Sequence, residues 1–120
     1  MRIRTISEGK IYHVRLMGIL DENTFPLLQA EMESAIISDK KAIWLDFAGM
    51  TGITSEAIAF LTLYQHILQE KGIHILIINL PHHIQFLFNA TQLDATIPVL
   101  PTKDLAYYMH QNNMASSLAS

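Results

Sequence analysis

The stretch Ala42-Ile43-Trp44-Leu45-Asp46-Phe47-Ala48 decides the fold, because it is a nearly continuous apolar run between a lysine pair and a glycine. This pattern is typical of a β-strand that is covered on both faces. A loop over residues 49–54 is expected to follow, and a helix is expected to begin near Ser55 or Glu56. Asp46 interrupts the run, and because a buried carboxylate needs partners, we expect it to accept hydrogen bonds from backbone N–H groups of that loop.

On the C-terminal side of this strand, helices and strands alternate along the chain. The helix that begins near Ser55 stops before Gly72 and has a buried stripe at helical spacing, made of Ile58, Leu61, Tyr64, Ile67 and Leu68. Residues 73–79 are a second buried strand, Pro81 opens a short helix, and residues 97–100 are a last short strand. The terminal helix is marked by Leu105, Tyr108 and Met109.

On the N-terminal side, residues 1–20 alternate between apolar and polar side chains with the period of two β-strands. Glu8-Gly9 lies between the two runs and is predicted to be a short hairpin turn. The alternation breaks at Gly18-Ile19-Leu20-Asp21. Apolar residues then recur at helical spacing, which predicts a helix that is capped by Thr24 or Asn23.

The order of elements is therefore a hairpin followed by α, β, α, β, α, β and α. Strands that alternate with helices favour a parallel or mixed sheet flanked by helices. We predict a single α/β domain over residues 1–112, with a mixed, mostly parallel sheet of four to five strands, about four flanking helices and an N-terminal hairpin. Residues 113–120 are mostly small or polar and are predicted to be a flexible tail.

The composition excludes several classes of protein. The chain has 120 residues, of which 50% are hydrophobic and 16% are charged, so it is too apolar to be disordered. Its net charge is −3, and we expect no nucleic-acid partner. It has no cysteine, which excludes disulfides, thiolate metal sites and a thiol nucleophile. The low charge content indicates that some apolar surface is left for a protein partner.

The sequence lacks the motifs of enzymes and metal sites. His82 and His83 are neighbours, so on a helix they point about 100° apart and cannot chelate one metal ion together. Gly52-Ile53-Thr54-Ser55-Glu56-Ala57 lacks the Gly-x-Ser-x-Gly pattern of a nucleophile elbow. We therefore expect no enzyme activity, no catalytic residue, no metal ion and no cofactor.

The compartment is inferred from targeting and membrane signals. The longest apolar stretch, residues 72–80, is far shorter than the roughly 20 residues of a membrane-spanning helix. The first residues lack the apolar block of a secretory signal. We expect a cytoplasmic protein that does not insert into a membrane.

The central motifs resemble those of the STAS domain, the module of anti-sigma-factor antagonists, stress-signalling scaffolds and the cytoplasmic tails of sulfate transporters. Ile43-Trp44-Leu45-Asp46-Phe47-Ala48 is similar to the family's strand, apolar-apolar-Leu-Asp-Leu-Ser. Ile53-Thr54-Ser55-Glu56-Ala57 is similar to its helix-opening motif, Ile-Asp-Ser-Ser-Gly. Gly18-Ile19-Leu20-Asp21 and Leu93-Asp94 resemble two further segments of the family, so the resemblance covers roughly residues 10–110.

This resemblance implies partner switching. In such proteins a serine at the start of the matching helix is phosphorylated by a kinase that is also the anti-sigma factor, and a phosphatase removes the phosphate. The matching residue here is Ser55, and Thr54 is either a second candidate acceptor or the helix N-cap. The implied function is that of a non-enzymatic anti-sigma factor antagonist, with a serine kinase or anti-sigma factor and a protein phosphatase as partners. The oligomeric state is left open.

Ser55 also has a physical argument of its own, and we expect its hydroxyl to be exposed to solvent. It follows the C-terminal end of a strand and begins a helix, where open α/β sheets place their sites and where free N–H groups favour an anion. The alternative roles are a plain N-cap for Ser55 and a plain turn residue for Asp21. The expected partner-binding residues are Asp21, Met50, Ile53, Thr54, Ser55, Glu56 and Ile58.

The motif departs from the family pattern on both sides of Ser55. Thr54, Glu56 and Ala57 replace the usual Asp, second Ser and Gly. The Glu56 carboxylate either mimics part of a phosphorylated state or simply favours the helix macrodipole. Two alternatives to phosphorylation therefore stay open: a constitutive cytoplasmic STAS accessory subunit of a membrane transport complex, and a small-ligand-binding signalling scaffold with an apolar cavity.

Overall fold

The structure, a computed structural model, describes residues 1–91 and 97–111, with side chains described up to residue 108. Its first two strands, β1 (Arg2–Glu8) and β2 (Ile11–Leu20), form the predicted antiparallel hairpin. The turn is Gly9-Lys10, one residue later than predicted, because a tight turn needs a positive φ and Gly9 supplies it at +57°. The predicted tail at residues 113–120 and the side chain of Met109 lie outside the described residues.

Seven further elements follow in the described parts of the chain: α1 (Phe25–Ile37), β3 (Ala42–Ile53), α2 (Ser55–Glu70), β4 (His74–Ile78), α3 (His82–Thr91), β5 (Val99–Leu100) and α4 (Lys103–Gln111). The strands lie in one sheet in the order β1-β2-β3-β4-β5. β1 is antiparallel to β2, and the other neighbouring strands are parallel. The predicted α/β class, with a mixed, mostly parallel sheet, flanking helices and an N-terminal hairpin, is confirmed.

β3 is longer than predicted, because residues 49–53 continue the strand instead of forming a loop. They stay paired with the end of β2 across two register shifts, and the last pair is Leu20 with Ile53. Gly18 lies at one shift with a φ of +113°, which L side chains rarely adopt. At the other shift, a Cβ on Gly49 would lie 3.2 Å from a backbone carbonyl oxygen of β2. Glycine therefore lets the strands stay together where the alternation breaks.

Helices α1, α2 and α3 cover the first face of the sheet and bury the larger core. Alternate residues of β3, including Leu45 and Phe47, point into this core and are fully buried. Phe47 packs edge-on against Phe88 of α3, with the ring centroids 6.0 Å apart. In the stripe predicted for α2, Leu61 and Leu68 are fully buried. The packing of α2 thus holds its N-terminal end at the edge of the sheet.

α4 covers part of the second face and closes a smaller core around Trp44. The Tyr107 ring packs against Trp44 with the centroids 4.8 Å apart, and Ala106 is fully buried. The predicted terminal helix is present, but Leu105 and Tyr108, which mark it in the sequence, are exposed. The contact is made by a small residue and an amphipathic one, so apolar spacing did not identify the buried side.

A cluster of polar side chains joins α4 to the hairpin. His13 of β2 is buried, and its Nε2 lies 3.1 Å from Oε1 of Glu8. The Tyr107 hydroxyl donates to the same Glu8 oxygen at 2.5 Å and lies 3.2 Å from His13 Nε2. A titratable group therefore lies beneath the helix that covers the second face.

Candidate functional site

The candidate site forms where β2 and β3 end beside the start of α2. The backbone N–H of Thr54 donates to the Leu20 carbonyl at 3.0 Å, which ties the opening of α2 to the end of β2. Near the start of α3, Nε2 of His83 lies 3.2 Å from the carbonyl oxygen of Thr51. These contacts gather three turns at the carboxyl edge of the parallel strands, where open α/β sheets place their binding sites.

Thr54 is the N-cap of α2. Its backbone is extended, with φ −93° and ψ 161°, and its Oγ1 accepts a hydrogen bond from the backbone N–H of Ala57 at 3.2 Å. The structure therefore assigns the cap to Thr54 and not to Ser55. Because its hydroxyl is engaged, Thr54 is the poorer phosphate acceptor of the two.

Ser55 is the first residue inside α2, and its side chain is exposed, as predicted. Its hydroxyl donates to Oε2 of Glu56 over a long 3.4 Å. The first backbone bond of the helix runs from the N–H of Ile58 to the Thr54 carbonyl at 3.0 Å. The N–H groups of Ser55 and Glu56 precede this bond and have no partner within the helix, so an added anion is favoured here.

Glu56 adds a permanent carboxylate beside Ser55. It is the acidic residue of the first turn of α2, and it is exposed. Neither α1 nor α2 contains a lysine or an arginine, whereas the two helices contain the glutamates Glu31, Glu33, Glu56 and Glu70. Glu56 is thus the carboxylate beside Ser55, and α1 and α2 supply no lysine or arginine to neutralise it.

Asp21 shapes the turn between β2 and α1. Its Oδ1 accepts from the backbone N–H groups of Asn23 and Thr24, both at 2.9 Å, and from the Thr24 hydroxyl at 3.1 Å. These bonds, led by the one from the Thr24 backbone, hold the pKa of Asp21 below its ordinary value. Asp21 therefore acts as a turn residue, which is one of the two roles that the sequence left open, the other being partner binding. The hydrogen bond between Leu20 and Thr54 keeps this turn next to α2.

Three of the expected partner-binding residues are buried, so the expectation that they offer an apolar surface to a partner is wrong. Met50, Ile53 and Ile58 are only 3%, 8% and 6% exposed and belong to the larger core. For Met50 and Ile53 the reason is the continuation of β3, because both stay paired with β2 and direct their side chains into the core instead of standing on a loop. Ile58 is buried because it lies in the apolar stripe of α2. The exposed or half-buried remainder, which we name the Ser55 surface, consists of Asp21, Thr54, Ser55 and Glu56.

Some exposed apolar residues lie farther along α1 and α2, at positions that the sequence did not predict. Leu27 of α1 and Phe60 and Leu63 of α2 are 50%, 39% and 53% exposed. Between the two helices lies a groove of about 290 Å³, lined by Glu22, Phe25, Pro26, Gln29, Phe60, Leu63, Tyr64 and Ile67. Phe60 and Leu63 are apolar residues outside the buried stripe, and that is the sequence signal by which they could have been found.

Asp46 is held by partners, as a half-buried carboxylate requires. Its Oδ1 accepts from the backbone N–H of Ala48 at 2.9 Å and from Nδ2 of Asn79 at 3.1 Å. Nε of Arg15 lies 3.9 Å from its Oδ2. The predicted backbone contact is present within β3, while the contacts from β2 and from the end of β4 depend on the order of strands in the sheet.

The chemistry of the Ser55 surface is that of an exposed hydroxyl beside a carboxylate at a helix N-terminus. Among the described side chains, no three histidines, aspartates or glutamates are grouped so that they could hold a metal ion. No helix in the described ranges is both long and apolar enough to cross a membrane. A phosphoryl group on the Ser55 hydroxyl would meet the free N–H groups of the first turn.

Comparisons with known proteins identify the fold. The family model described as "Mlab, STAS domain" matches residues 3–101, which is most of the chain. A search of curated proteins finds no match.

Solved structures with this fold include regulators and a transporter protein. An anti-sigma factor antagonist from Mycobacterium paratuberculosis is 20% identical with a TM-score of 0.73, over 89% of this chain and 91% of that chain. The phosphorylated form of the Bacillus cell fate determinant SpoIIAA is 16% identical with a TM-score of 0.62, over 88% and 96%. A sulfate transporter family protein from Wolinella succinogenes is 15% identical with a TM-score of 0.74, over 94% and 90%. At these identities, the similarity shows the fold.

Proposed function

The chain belongs to the STAS domain family, and from this premise we propose that it is a non-enzymatic, partner-switching regulator of the anti-sigma factor antagonist type. It binds a serine kinase or anti-sigma factor through the Ser55 surface. Phosphorylation of Ser55 releases that partner, and a protein phosphatase restores the binding form. The cytoplasm is the proposed compartment.

The exposed hydroxyl of Ser55, which is not used as the helix cap because Thr54 has that role, is the observation that carries this proposal. A phosphate there adds a charge of about −1.5 to −2 at a helix N-terminus, which favours anions, so the fold is spared. At a protein interface the same charge loses its water. An unmatched charge at a desolvated interface costs on the order of 2–5 kcal/mol, which is about 30-fold or more in affinity.

The comparisons support this proposal at the level of the fold. One of the similar structures is a protein in its phosphorylated form, so the fold tolerates a phosphoryl group. Another is an anti-sigma factor antagonist that covers nearly the same length of chain.

The test compares the wild-type chain with Ser55→Asp and Ser55→Ala. Mass spectrometry of protein purified from its native cells should find phosphate on Ser55. Affinity capture from the same cells should retain the partner on Ser55→Ala, while Ser55→Asp should weaken its binding about 30-fold or more. Ser34→Asp is the matched control, because it adds the same charge at an exposed serine of α1, away from the Ser55 surface. Equal retention by wild type and Ser55→Asp, with no phosphate on Ser55, contradicts the proposal.

A second candidate function is a constitutive cytoplasmic accessory subunit of a membrane transport complex. The position of Glu56 favours it, because a carboxylate 3.4 Å from the Ser55 hydroxyl already sets a negative charge at the switch position. If this function is correct, affinity capture should retain the same transport subunit on wild type and on Ser55→Asp. Glu56→Gln should change the affinity of the protein for that subunit.

A further inference from the structure

The second face of the sheet has a cavity beside α4. Its volume is about 180 Å³. It is lined by Arg4, Ile6, His13, Val14, Arg15, Trp44, Asp46, Ile78 and Lys103. Four strands and α4 therefore contribute to one small concave site, which no part of the proposed switch uses.

Positive side chains outnumber negative ones in this cavity. Arg4 of β1 and Arg15 of β2 are directly opposite in the antiparallel pair, so their side chains share one face. Like charges at such positions destabilise a sheet. Lys103, which begins α4, is a third cation, and its Nζ lies 5.8 Å from the centre of the Tyr107 ring. Asp46 is the only carboxylate among the described lining residues, while Glu8, just outside the lining, contacts His13 and interacts electrostatically with Lys103.

Asp46 offsets one of these charges at most. Its Oδ1 already accepts from Ala48 and Asn79, and its Oδ2 lies at the long distance of 3.9 Å from Nε of Arg15. This contact holds Arg15 on the cavity side, and its other N–H donors have no partner among the described residues. No ion pair to Arg4 is present within the described part of the chain. An anion entering the cavity would meet two arginine side chains that belong to directly paired positions of β1 and β2.

We propose that this cavity binds the phosphate group of a small soluble phosphomonoester. Paired guanidinium forks match the oxygens of a phosphate, and a bound dianion would cancel the repulsion between Arg4 and Arg15. The volume equals that of about six water molecules, which fits a phosphate with one small substituent. Ile6, Ile78 and Trp44 give the substituent an apolar wall.

This site differs from the apolar cavity that the sequence led us to consider, because its charge selects the ligand. The cavity shares no lining residue with the Ser55 surface, so its ligand binding can be tested independently of the proposed function.

The test is isothermal titration calorimetry on the full chain at low ionic strength. Phenyl phosphate should bind with a Kd of about 1 mM or lower, inorganic phosphate should bind more weakly, and phenol should not bind. Arg4→Gln and Arg15→Gln should each weaken phenyl phosphate binding about tenfold or more. Arg2→Gln is the matched control, because Arg2 is opposite Met17 on the same face but does not line the cavity.

Each other outcome overturns the proposal. If phenyl phosphate does not bind, the proposal is wrong. If Arg2→Gln loses as much affinity for phenyl phosphate as Arg4→Gln, the binding reflects the general positive charge of the face and not a site. Binding to phosphatidic acid vesicles through Arg4, without binding of phenyl phosphate, would assign the site to a lipid headgroup. Unfolding does not obscure the result, because Arg4→Gln should raise the thermal unfolding midpoint at low salt by removing a like-charge pair.

Discussion

Thr54 and Ser55 are adjacent residues, but only Thr54 closes the start of α2 with a side-chain hydrogen bond. Thr54→Ala should therefore lower the free energy of unfolding by about 1 kcal/mol. Ser55→Ala removes an exposed hydroxyl and should change that free energy by less than about 0.5 kcal/mol. Urea unfolding followed by circular dichroism measures both variants. A larger loss in Ser55→Ala than in Thr54→Ala would contradict the assignment of the cap.

At this scale the sequence predicts positions better than contacts. The exposure of Ser55 follows from the strand-to-helix order alone, and it was predicted. The choice of cap was not, because threonine and serine are both good N-caps and the backbone angles of the connection decide between them. The burial of Met50 and Ile53 depends on a register between β2 and β3 that two separate stretches of chain create together.

At the scale of elements, the paired ends of β2 and β3 depend on a backbone conformation that glycine adopts readily. Gly18 has a φ of +113°, and a Cβ there would lie 3.4 Å from the Cα of Met1. Gly18→Ala should lower the free energy of unfolding by about 1–3 kcal/mol. Gly52→Ala is the control in the partner strand, because its Cβ would meet only side-chain atoms of Ile19, at 3.8 Å and 4.0 Å.

Gly52→Ala should be neutral or stabilise the protein by up to about 1 kcal/mol. Denaturant unfolding of the two variants under the same conditions gives the comparison. If both alanines had the same effect, the positive φ of Gly18 would not be what holds the register.

The elements themselves could be predicted where one physical signal dominates. β3 and β4 are apolar because both faces of the sheet are covered, and α2 has a clear stripe that ends at Gly72. The extension of β3 was missed because its glycines read as a loop. The buried side of α4 could not be predicted, because its contact with Trp44 is made by Ala106 and Tyr107. These two neighbours do not form an apolar stripe at helical spacing.

At the scale of the whole molecule, the cluster of His13, Glu8 and Tyr107 couples folding to pH. Burial lowers the pKa of His13 below its ordinary 6.5, against the opposing effect of the hydrogen bond with Glu8. Between that lowered value and 6.5, the unfolded chain binds more protons than the folded chain. The free energy of unfolding should therefore fall as pH falls through this window. The stabilising contribution of neutral His13 should be complete above pH 6.5.

Trp44 is the only tryptophan of the chain, and Tyr107 packs against it, so its fluorescence reports the covered second face. Urea unfolding at several pH values should show that the free energy of unfolding falls with pH in the wild type. It should depend less on pH in His13→Gln. His82→Gln, at an exposed position, is the control and should keep the wild-type slope. A His13→Gln protein that loses stability with acid as steeply as wild type would contradict the coupling.

The cavity on the second face is a property of the whole molecule that the sequence did not reveal. Arg4, Arg15 and Lys103 are far apart along the chain, and they meet only because β1 pairs with β2 and α4 returns over the sheet. A single sequence shows each of them as an ordinary exposed cation.

The helix layer and the open face of the sheet also differ in charge. The helices α1 and α2 contain glutamates but no lysine or arginine, whereas Arg2, Arg4, Arg15 and Lys103 lie on the opposite side. The folded domain therefore has an electric polarity directed through its sheet. The electric field of a charged macromolecule or membrane would exert a torque on the domain, over a range of about 8 Å at physiological ionic strength. The protein would rotate before contact. A negatively charged surface would therefore meet the second face of the sheet first, and a positively charged surface would meet helices α1 and α2 first.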